Sequence, residues 1–321
     1  MTEIKVSVVM SVYNGERYLE EAILSVLEQS FTDFELIAVD DGSSDTTPRI
    51  LDRLSQEDPR ITVIRQENCG QTLSLNRAIG VARGNYLARQ DADDLSMPKR
   101  LELQAHYLDS HPSVAVVGTA AEVMDQKGAV IGTLATPQGV AQVQQALLTA
   151  RATPVHGSVM MRKEAVAAMG GYRDAFWVSQ DFDLWLRMAE RFDLDNIPLK
   201  LYRWRRNPTG VYATRRAMQL KYCGVALAFA REREVYGADS YELLRLSRGD
   251  LAGFAAKYRM RGLLHSLWGE LLFRGRQSPQ LARSHLISAL LSGFVRPKTL
   301  ALLGLSLMGR PWPGSPPLPA S

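Results

Sequence analysis

Gln90-Asp91-Ala92-Asp93-Asp94 packs three carboxylates into five residues, directly after the short apolar run Tyr86-Leu87-Ala88 where a strand should end. Such a cluster calls for a cation, and hard oxygen ligands suit Mg²⁺ or Mn²⁺. A divalent ion held by one or two carboxylates keeps positions open for substrate phosphates, so an Asp-x-Asp at a strand end points to diphosphate chemistry. Taken alone, an Asp-x-Asp is more often a solvated acidic loop. Here it is accompanied by the acidic loop Asp40-Asp41-Gly42-Ser43-Ser44-Asp45 and by Ser179-Gln180-Asp181-Phe182-Asp183, which opens a helical pattern.

The elements that must position these acids read as alternating strands and helices. Val6 to Val12 has buried-strand length, and Leu19, Ile23, Val26 and Leu27 follow at helical spacing. Leu36 to Val39 is a second strand, with a helix starting at Thr46-Thr47-Pro48. Ile61 to Ile64 and Tyr86 to Ala88 are strands flanking a helix face of Leu75, Ala78, Ile79 and Ala82. Repeated β-α units predict an α/β fold with a mostly parallel sheet flanked by helices, whose ligands gather beyond the carboxyl ends of the strands. Asp41 and the Asp91 to Asp94 cluster fall at such ends. Further on, the sequence predicts a helix through Tyr107, a strand at Val114 to Val117, a hairpin at Asp125-Gln126-Lys127-Gly128, a helix near Val140 to Leu148, a strand after His156-Gly157-Ser158 and a helix from Ser179 to about Arg191.

With 321 residues, 46% hydrophobic and 22% charged, the chain is an ordinary folded protein, long enough for one large α/β domain and an appendage. Cys69 and Cys223 lie far apart with no nearby Cys or His at metal-ligand spacing, so neither a zinc site nor a disulfide framework is indicated, and a reducing compartment fits. No stretch approaches the roughly 20 apolar residues of a membrane span, and the N-terminus lacks a signal-peptide pattern. The expected location is therefore cytoplasmic. Residues 1 to 199 carry 18 Lys and Arg against 28 Asp and Glu, net −10; residues 200 to 321 carry 20 against 6, net +14. An acidic body with a basic C-terminal part predicts a boundary near residue 210 and a polyanionic partner for the basic part. The expected division is a catalytic domain over 1–210, a basic helical region over 211–310 and a Pro-rich disordered tail over 311–321.

The combined pattern resembles the family 2 glycosyltransferases of GT-A fold. The resemblance rests on Ser11-Val12-Tyr13-Asn14, the Asp40 to Asp45 loop, Asn68 and Gly70 with Asn76, the Gln90 to Asp94 cluster, His156-Gly157-Ser158, and Gly170-Gly171-Tyr172 ahead of Gln180-Asp181-Phe182-Asp183-Leu184-Trp185. It covers roughly residues 4 to 205, with every landmark in order, and leaves the basic C-terminal part outside.

The resemblance implies a role for each matching residue. Tyr13 would lie against the base of a uridine nucleotide, Asp41 would bond its imide edge, and Ser11 would line the same pocket. Taken alone, Tyr13 would be a core residue and Asp41 a turn or cap before the helix at Pro48. Asp93 would hold the metal, Mn²⁺ or Mg²⁺, and Asp91, next to Ala92, would bind the ribose or assist the metal through water. Asp94 reads as a cap for the helix beginning near Pro98. Asp181 would be the catalytic base for a single inverting displacement; its alternative is an acid stabilised by the helix dipole, as expected for Asp183. His156 is a further candidate metal ligand or phosphate contact, or else a packed loop histidine. Arg203, Arg205 and Arg206 could close over the diphosphate as a lid, or form a solvated basic loop.

The expected function is transfer of a sugar from a nucleotide-diphosphate sugar, a UDP-sugar, to a hydroxyl of a glycan or lipid-linked acceptor in cell-surface polysaccharide synthesis. A sugar nucleotidyltransferase is the rival enzyme, but Tyr13-Asn14-Gly15-Glu16 lacks a Gly- and Arg-rich loop for a triphosphate. An NAD-dependent dehydrogenase lacks its Gly-x-Gly-x-x-Gly after the first strand. Nucleic-acid binding through the basic C-terminal half is the rival from another class, opposed by the acidic body and the absence of interleaved aromatics. The basic apolar stretches Leu286 to Leu291 and Leu300 to Leu307 predict peripheral contact with an anionic membrane face, or else packing on the core.

Overall fold

The computed structural model describes residues 4–150, 152–207 and 214–248, with scattered positions beyond. Its first unit, Met1–Cys223, is built on a nine-stranded sheet. The chain runs β1 (Val6–Val12), α1 (Leu19–Leu27), β2 (Phe34–Asp40), α2 (Thr47–Glu57), β3 (Ile61–Arg65), α3 (Gln71–Val81), β4 (Tyr86–Arg89), β5 (Leu95–Ser96), α4 (Arg100–Ser110), β6 (Val114–Met124), β7 (Val130–Leu134), α5 (Val140–Leu148), a 3₁₀ turn (His156–Ser158), β8 (Met160–Arg162), α6 (Lys163–Ala168), α7 (Gln180–Ala189) and β9 (Asp193–Arg205).

The strand order is β3-β2-β1-β4-β8-β6-β9-β5, with β7 paired to β6. β1 to β4 are mutually parallel; β8 runs antiparallel between β4 and β6; β9 lies parallel to β6. The four N-terminal strands, β6 and β9 thus share one direction, and the sheet is mostly parallel as the β-α repeats require. β1 and β2 are buried on both faces, which explains their continuous apolar runs. In α1, Leu19, Ala22, Ile23 and Val26 form the buried stripe. The parallel pairing aligns Val12 with Asp40 and Val9 with Arg89, so β1, β2 and β4 end at one edge.

The sequence did not reveal β9. Its apolar alternation is interrupted at Pro198, where the register jumps: Thr119 pairs with Ile197, but the next residue, Ala120, pairs with Lys200. An irregularity in the ladder is where a strand tolerates a residue without an N–H. Arg203 and Arg205 lie on this strand, so they form neither a lid nor a solvated loop. Arg203 pairs with Glu122 at 2.9 Å, and Arg205 is buried.

The first unit continues past the expected boundary at residue 210 into a helix over Arg216–Tyr236. Tyr222 is buried with its ring 5.6 Å from that of Phe176, and Ser179 Oγ donates to the carbonyl of Gln219 at 3.2 Å. In the second unit, Gly224–Ser321, the buried Glu232 carboxylate accepts both the amide and the hydroxyl of Ser240 at 2.7 Å, ahead of a short helix over Tyr241–Leu246. The tail over 311–321 and most of the two stretches predicted to meet a membrane lie outside the described residues. No helix of the described residues is long and apolar enough to cross a membrane.

Candidate active site

Three loops meet at the shared carboxyl edge. The β1–α1 turn is laced to the β2–α2 loop: Asn14 N donates to Ser43 Oγ at 2.9 Å, Asn14 Oδ1 accepts from Ser44 N at 2.8 Å, and Gly15 N donates to Thr47 Oγ1 at 2.8 Å. This leaves Tyr13 54% exposed rather than in the core. The turn bonds of the β2–α2 loop are made by Asp40, which accepts from Ser43 N, and Asp45, which accepts from Thr47 N. Asp41 does neither. It reaches the β3–α3 loop, where its carboxylate accepts Cys69 N at 2.9 Å, Gly70 N at 2.8 Å and Gln66 Nε2 at 2.8 Å. Burial would raise this carboxyl, but these donors outweigh it and hold Asp41 below its ordinary value, as an anion.

The acidic turn after β4 is clasped from below. Gln90 is fully buried; its Nε2 donates to the carbonyls of Asp91 and Asp94 at 3.0 and 2.9 Å, and its Oε1 accepts from Ser96 Oγ and from Arg100 Nη1. The buried Arg89 pairs with Asp91 at 2.5 Å. Asp94 is buried and accepts the backbone N–H of Arg205 at 2.7 Å, so it ties β4 to β9 instead of capping α4, whose N-cap is Lys99. Gly157 of the 3₁₀ turn packs beneath: a Cβ there would collide with Tyr202 Oη and stand 2.8 Å from Asp91 Oδ2.

Among the described residues, no side chain gives the carboxylate of Asp93 a hydrogen bond or ion pair. Burial, and then the charge of Asp91, push its pKa up to about 6. Asp94 is raised further by burial and by Asp91 and Asp93. A turn with this surplus of negative charge, and with Asp93 lining a cavity, fits a hard cation that would be held by Asp93 and Asp91. His156 does not fit with them. Its Nε2 is engaged by Tyr172 Oη at 2.8 Å, and its ring packs edge-on to Tyr172 and Trp185. Among the described residues no three His, Cys, Asp or Glu side chains form a ready metal cage, so substrate oxygens would complete the coordination.

The cavity measures about 650 Å³ and is lined by Ser11, Tyr13, Asp41, Asp91, Ala92 and Asp93, six residues singled out from the sequence. That volume suits a small-molecule ligand. Its other walls include Arg17, Tyr18, Gln71, Gln126, Trp204, Asn207 and Arg205, the last a member of the basic cluster read from the sequence. Gln126 belongs to the hairpin read from the sequence, but only the β6–β7 pairing shows that this hairpin borders the cavity. Trp204 and Arg205 come from the hidden strand β9.

Asp181 and His156 are not among the lining residues. Asp181 is in the first turn of α7, and the preceding Gln180 donates to Gln71 of the cavity wall at 2.9 Å. Asp183 is a first-turn acid of α7, as expected. It is completely buried and pairs with Arg187 at 2.9 Å, while Arg187 also donates to the carbonyls of Met169 and Gly171. Asp183 therefore locks α7 to the Gly170-Gly171 turn.

The sequence profile described as glycosyl transferase family 2 matches residues 7–170. The chain belongs to that family. EpsE of Bacillus subtilis (strain 168) is 42% identical over 207 residues, covering 63% of this family 2 chain and 73% of EpsE. The O-antigen biosynthesis glycosyltransferase WbnJ of Escherichia coli is 30% identical over 184 residues, 57% of this chain and 71% of WbnJ. Among solved structures, S. aureus TarS 1-349 in complex with UDP superposes with a TM-score of 0.58 at 17% identity, covering 95% of this chain and 87% of TarS 1-349. The mannosyltransferase PcManGT from Pyrobaculum calidifontis, in complex with GDP-Man and Mn²⁺, superposes with a TM-score of 0.55 at 21% identity, over 95% of this chain and 79% of its own. At these identities the structural likeness establishes the GT-A fold.

Proposed function

We propose that this glycosyltransferase moves a sugar with inversion from a UDP-sugar to a hydroxyl of a glycan or lipid-linked acceptor during polysaccharide synthesis. The observation that carries the reading is the convergence of Tyr13, Asp41, Asp91 and Asp93 on one cavity at the ends of β1, β2 and β4. Tyr13 offers an exposed ring for a base, and Asp41 a buried anion that can accept the imide N–H of uracil. Arg17, whose guanidinium lies over the Tyr18 ring at 4.9 Å, adds positive charge to the wall facing a diphosphate. TarS with UDP and WbnJ in O-antigen biosynthesis support the donor and the polysaccharide assignment by likeness.

A divalent cation held by Asp93 and Asp91 would supply Lewis-acid neutralisation of the departing diphosphate. The protein's own part is to orient the donor and to remove a proton. The acceptor oxygen attacks the anomeric carbon, its proton passes to the Asp181 carboxylate, and the bond from the anomeric carbon to the diphosphate oxygen breaks with its electron pair on UDP. One base suffices for one displacement. The net +14 of residues 200 to 321 supports contact of the basic part with anionic membrane lipids.

Calorimetry of UDP with and without Mn²⁺ tests the reading. The parent should bind UDP more tightly with the metal, and Asp93→Ala should lose that enhancement together with transfer. Equal Mn²⁺ enhancement in the variant would overturn the metal assignment, and no UDP binding by the parent would overturn the donor.

A further inference from the structure

Trp177 stands 56% exposed between Phe176, which is fully buried, and Val178, which is 2% exposed. It is the only exposed tryptophan among the described residues, since Trp185 is buried and Trp204 half-buried. A lone exposed apolar side chain needs no explanation. This one, however, stands on a backbone segment bonded at both ends to α3, whose Gln71 lines the cavity. On one side, the carbonyl of Phe176 accepts the hydroxyl of the buried Thr72 at 3.0 Å. On the other, Gln180 donates to Gln71, which lines the cavity. Residues 176 to 180 are thus strapped to the first turn of α3 at both ends, and the next residue on α3, Leu73, is itself 43% exposed.

The strap is also held where it turns into α7. Ser179 adopts a left-handed φ of +59°, which costs a residue with a Cβ and persists only when its surroundings impose it. The surroundings here are the bond from Ser179 Oγ to the carbonyl of Gln219 and the contact of Cys223 Sγ with Ser179 Oγ at 3.5 Å. Two residues beyond that turn is Asp181. A large, flat, apolar ring is therefore held out to solvent four positions before the proposed base, on a backbone bonded to the cavity wall.

We propose that Trp177 is the acceptor-side platform of this enzyme, stacking on the apolar C–H face of a pyranose and so selecting a sugar acceptor over a simple alcohol. The inference rests on the glycosyltransferase reading and on Asp181 as base. The physical basis is that a pyranose presents one face of C–H groups and an edge of hydroxyls. The rigid indole covers that face at little entropic cost, and the hydroxyls remain free for polar contacts. Stacking there would hold an acceptor hydroxyl near the first turn of α7. Tyr13, by contrast, lies on the β1–α1 turn and serves the donor.

The test uses the full chain, Mn²⁺, UDP and a panel of methyl pyranosides (β-glucoside, β-galactoside, β-N-acetylglucosaminide, α-mannoside), with cyclohexylmethanol as the apolar non-sugar control. Fluorescence of the parent minus that of Trp177→Phe isolates the indole. At least one pyranoside should shift this difference spectrum, and cyclohexylmethanol should not. Trp177→Ala should raise the apparent Kd for that pyranoside about tenfold, Trp177→Phe should restore most of the loss, and the UDP Kd should stay within twofold. A difference spectrum that no pyranoside moves, or a pyranoside Kd equal in parent and Trp177→Ala, overturns the platform. Loss of UDP binding by the parent would instead overturn the donor reading, which separates the two.

Discussion

The backbone N–H of Arg205 donates to Asp94 Oδ1 across 2.7 Å, joining the end of β9 to the acidic turn after β4. The same arginine donates through Nε to the carbonyl of Asp93 at 2.7 Å, pairs with Glu21 at 2.5 Å and lies over the Tyr18 ring at 4.2 Å. One buried guanidinium thus connects α1, the β1–α1 turn and the acidic turn. Replacing Arg205 with Met keeps the bulk but frees the Asp93 carbonyl, so the turn should loosen and Mn²⁺-dependent UDP affinity should fall about tenfold or more. Arg205→Lys should recover part of that loss, because an ammonium can satisfy Glu21 but cannot span both partners. Calorimetry of the three proteins checks the order; equal affinities would mean that Arg205 serves stability alone.

How legible this arrangement was depends on distance along the chain. The strand ends at Val12, Asp40 and Arg89 follow from buried runs of ordinary length, and the acids next to them could be located because a parallel sheet collects its ligands at those ends. Arg205 could not be placed this way. Its strand is masked by Pro198 and a break in register, and its partners come from α1, the β6–β7 hairpin and the acidic turn, which only the folded topology unites. Asp183 was hidden for another reason. Two acids in the first turn of a helix look alike in sequence, and burial against Arg187 distinguishes one from the other.

Asp93 makes a pH dependence with a definite sign. Its folded pKa of about 6 lies above the 3.8 of an ordinary aspartate, so the folded metal-free protein binds more protons than the unfolded chain between those values. Stability of the metal-free protein should therefore fall as pH rises from about 4 to 6 through this group, and Asp93→Asn should relieve that loss at pH 7. Metal binding needs the carboxylate, so the Mn²⁺-dependent part of UDP affinity should weaken below pH 6, by about tenfold for each further unit. Urea titrations and calorimetry at pH 5 and 7 check both limbs. An Asp93→Asn protein less stable than the parent at pH 7 without metal would contradict the assignment.

The buried pair of Asp183 and Arg187 should matter for folding more than for chemistry. Asp183→Ala takes from the buried Arg187 guanidinium its carboxylate partner, while its bonds to the carbonyls of Met169 and Gly171 remain, and a broken buried pair costs about 3–5 kcal/mol. Thermal denaturation should show Tm lower by several degrees. If the variant melted with the parent, the bonds of Arg187 to the Met169 and Gly171 carbonyls, and not its pair with Asp183, would hold α7 to the Gly170-Gly171 turn.

Asp181 carries the mechanistic prediction. It lies in the same first turn as Asp183, yet it is only partly buried, and no side chain among the described residues forms an ion pair with it. A carboxylate with no ion pair among the described residues, after a backbone turn held in the left-handed region at Ser179, can accept a proton without first breaking such a pair. Asp181→Asn keeps the shape and helix position and removes only that capacity. The transfer rate should drop on the order of 10²-fold or more, while UDP affinity stays within about twofold of the parent and Tm is nearly unchanged. Single-turnover transfer, measured beside UDP calorimetry, separates chemistry from binding. A transfer rate close to the parental one would return Asp181 to the role of a helix-end acid stabilised by the dipole.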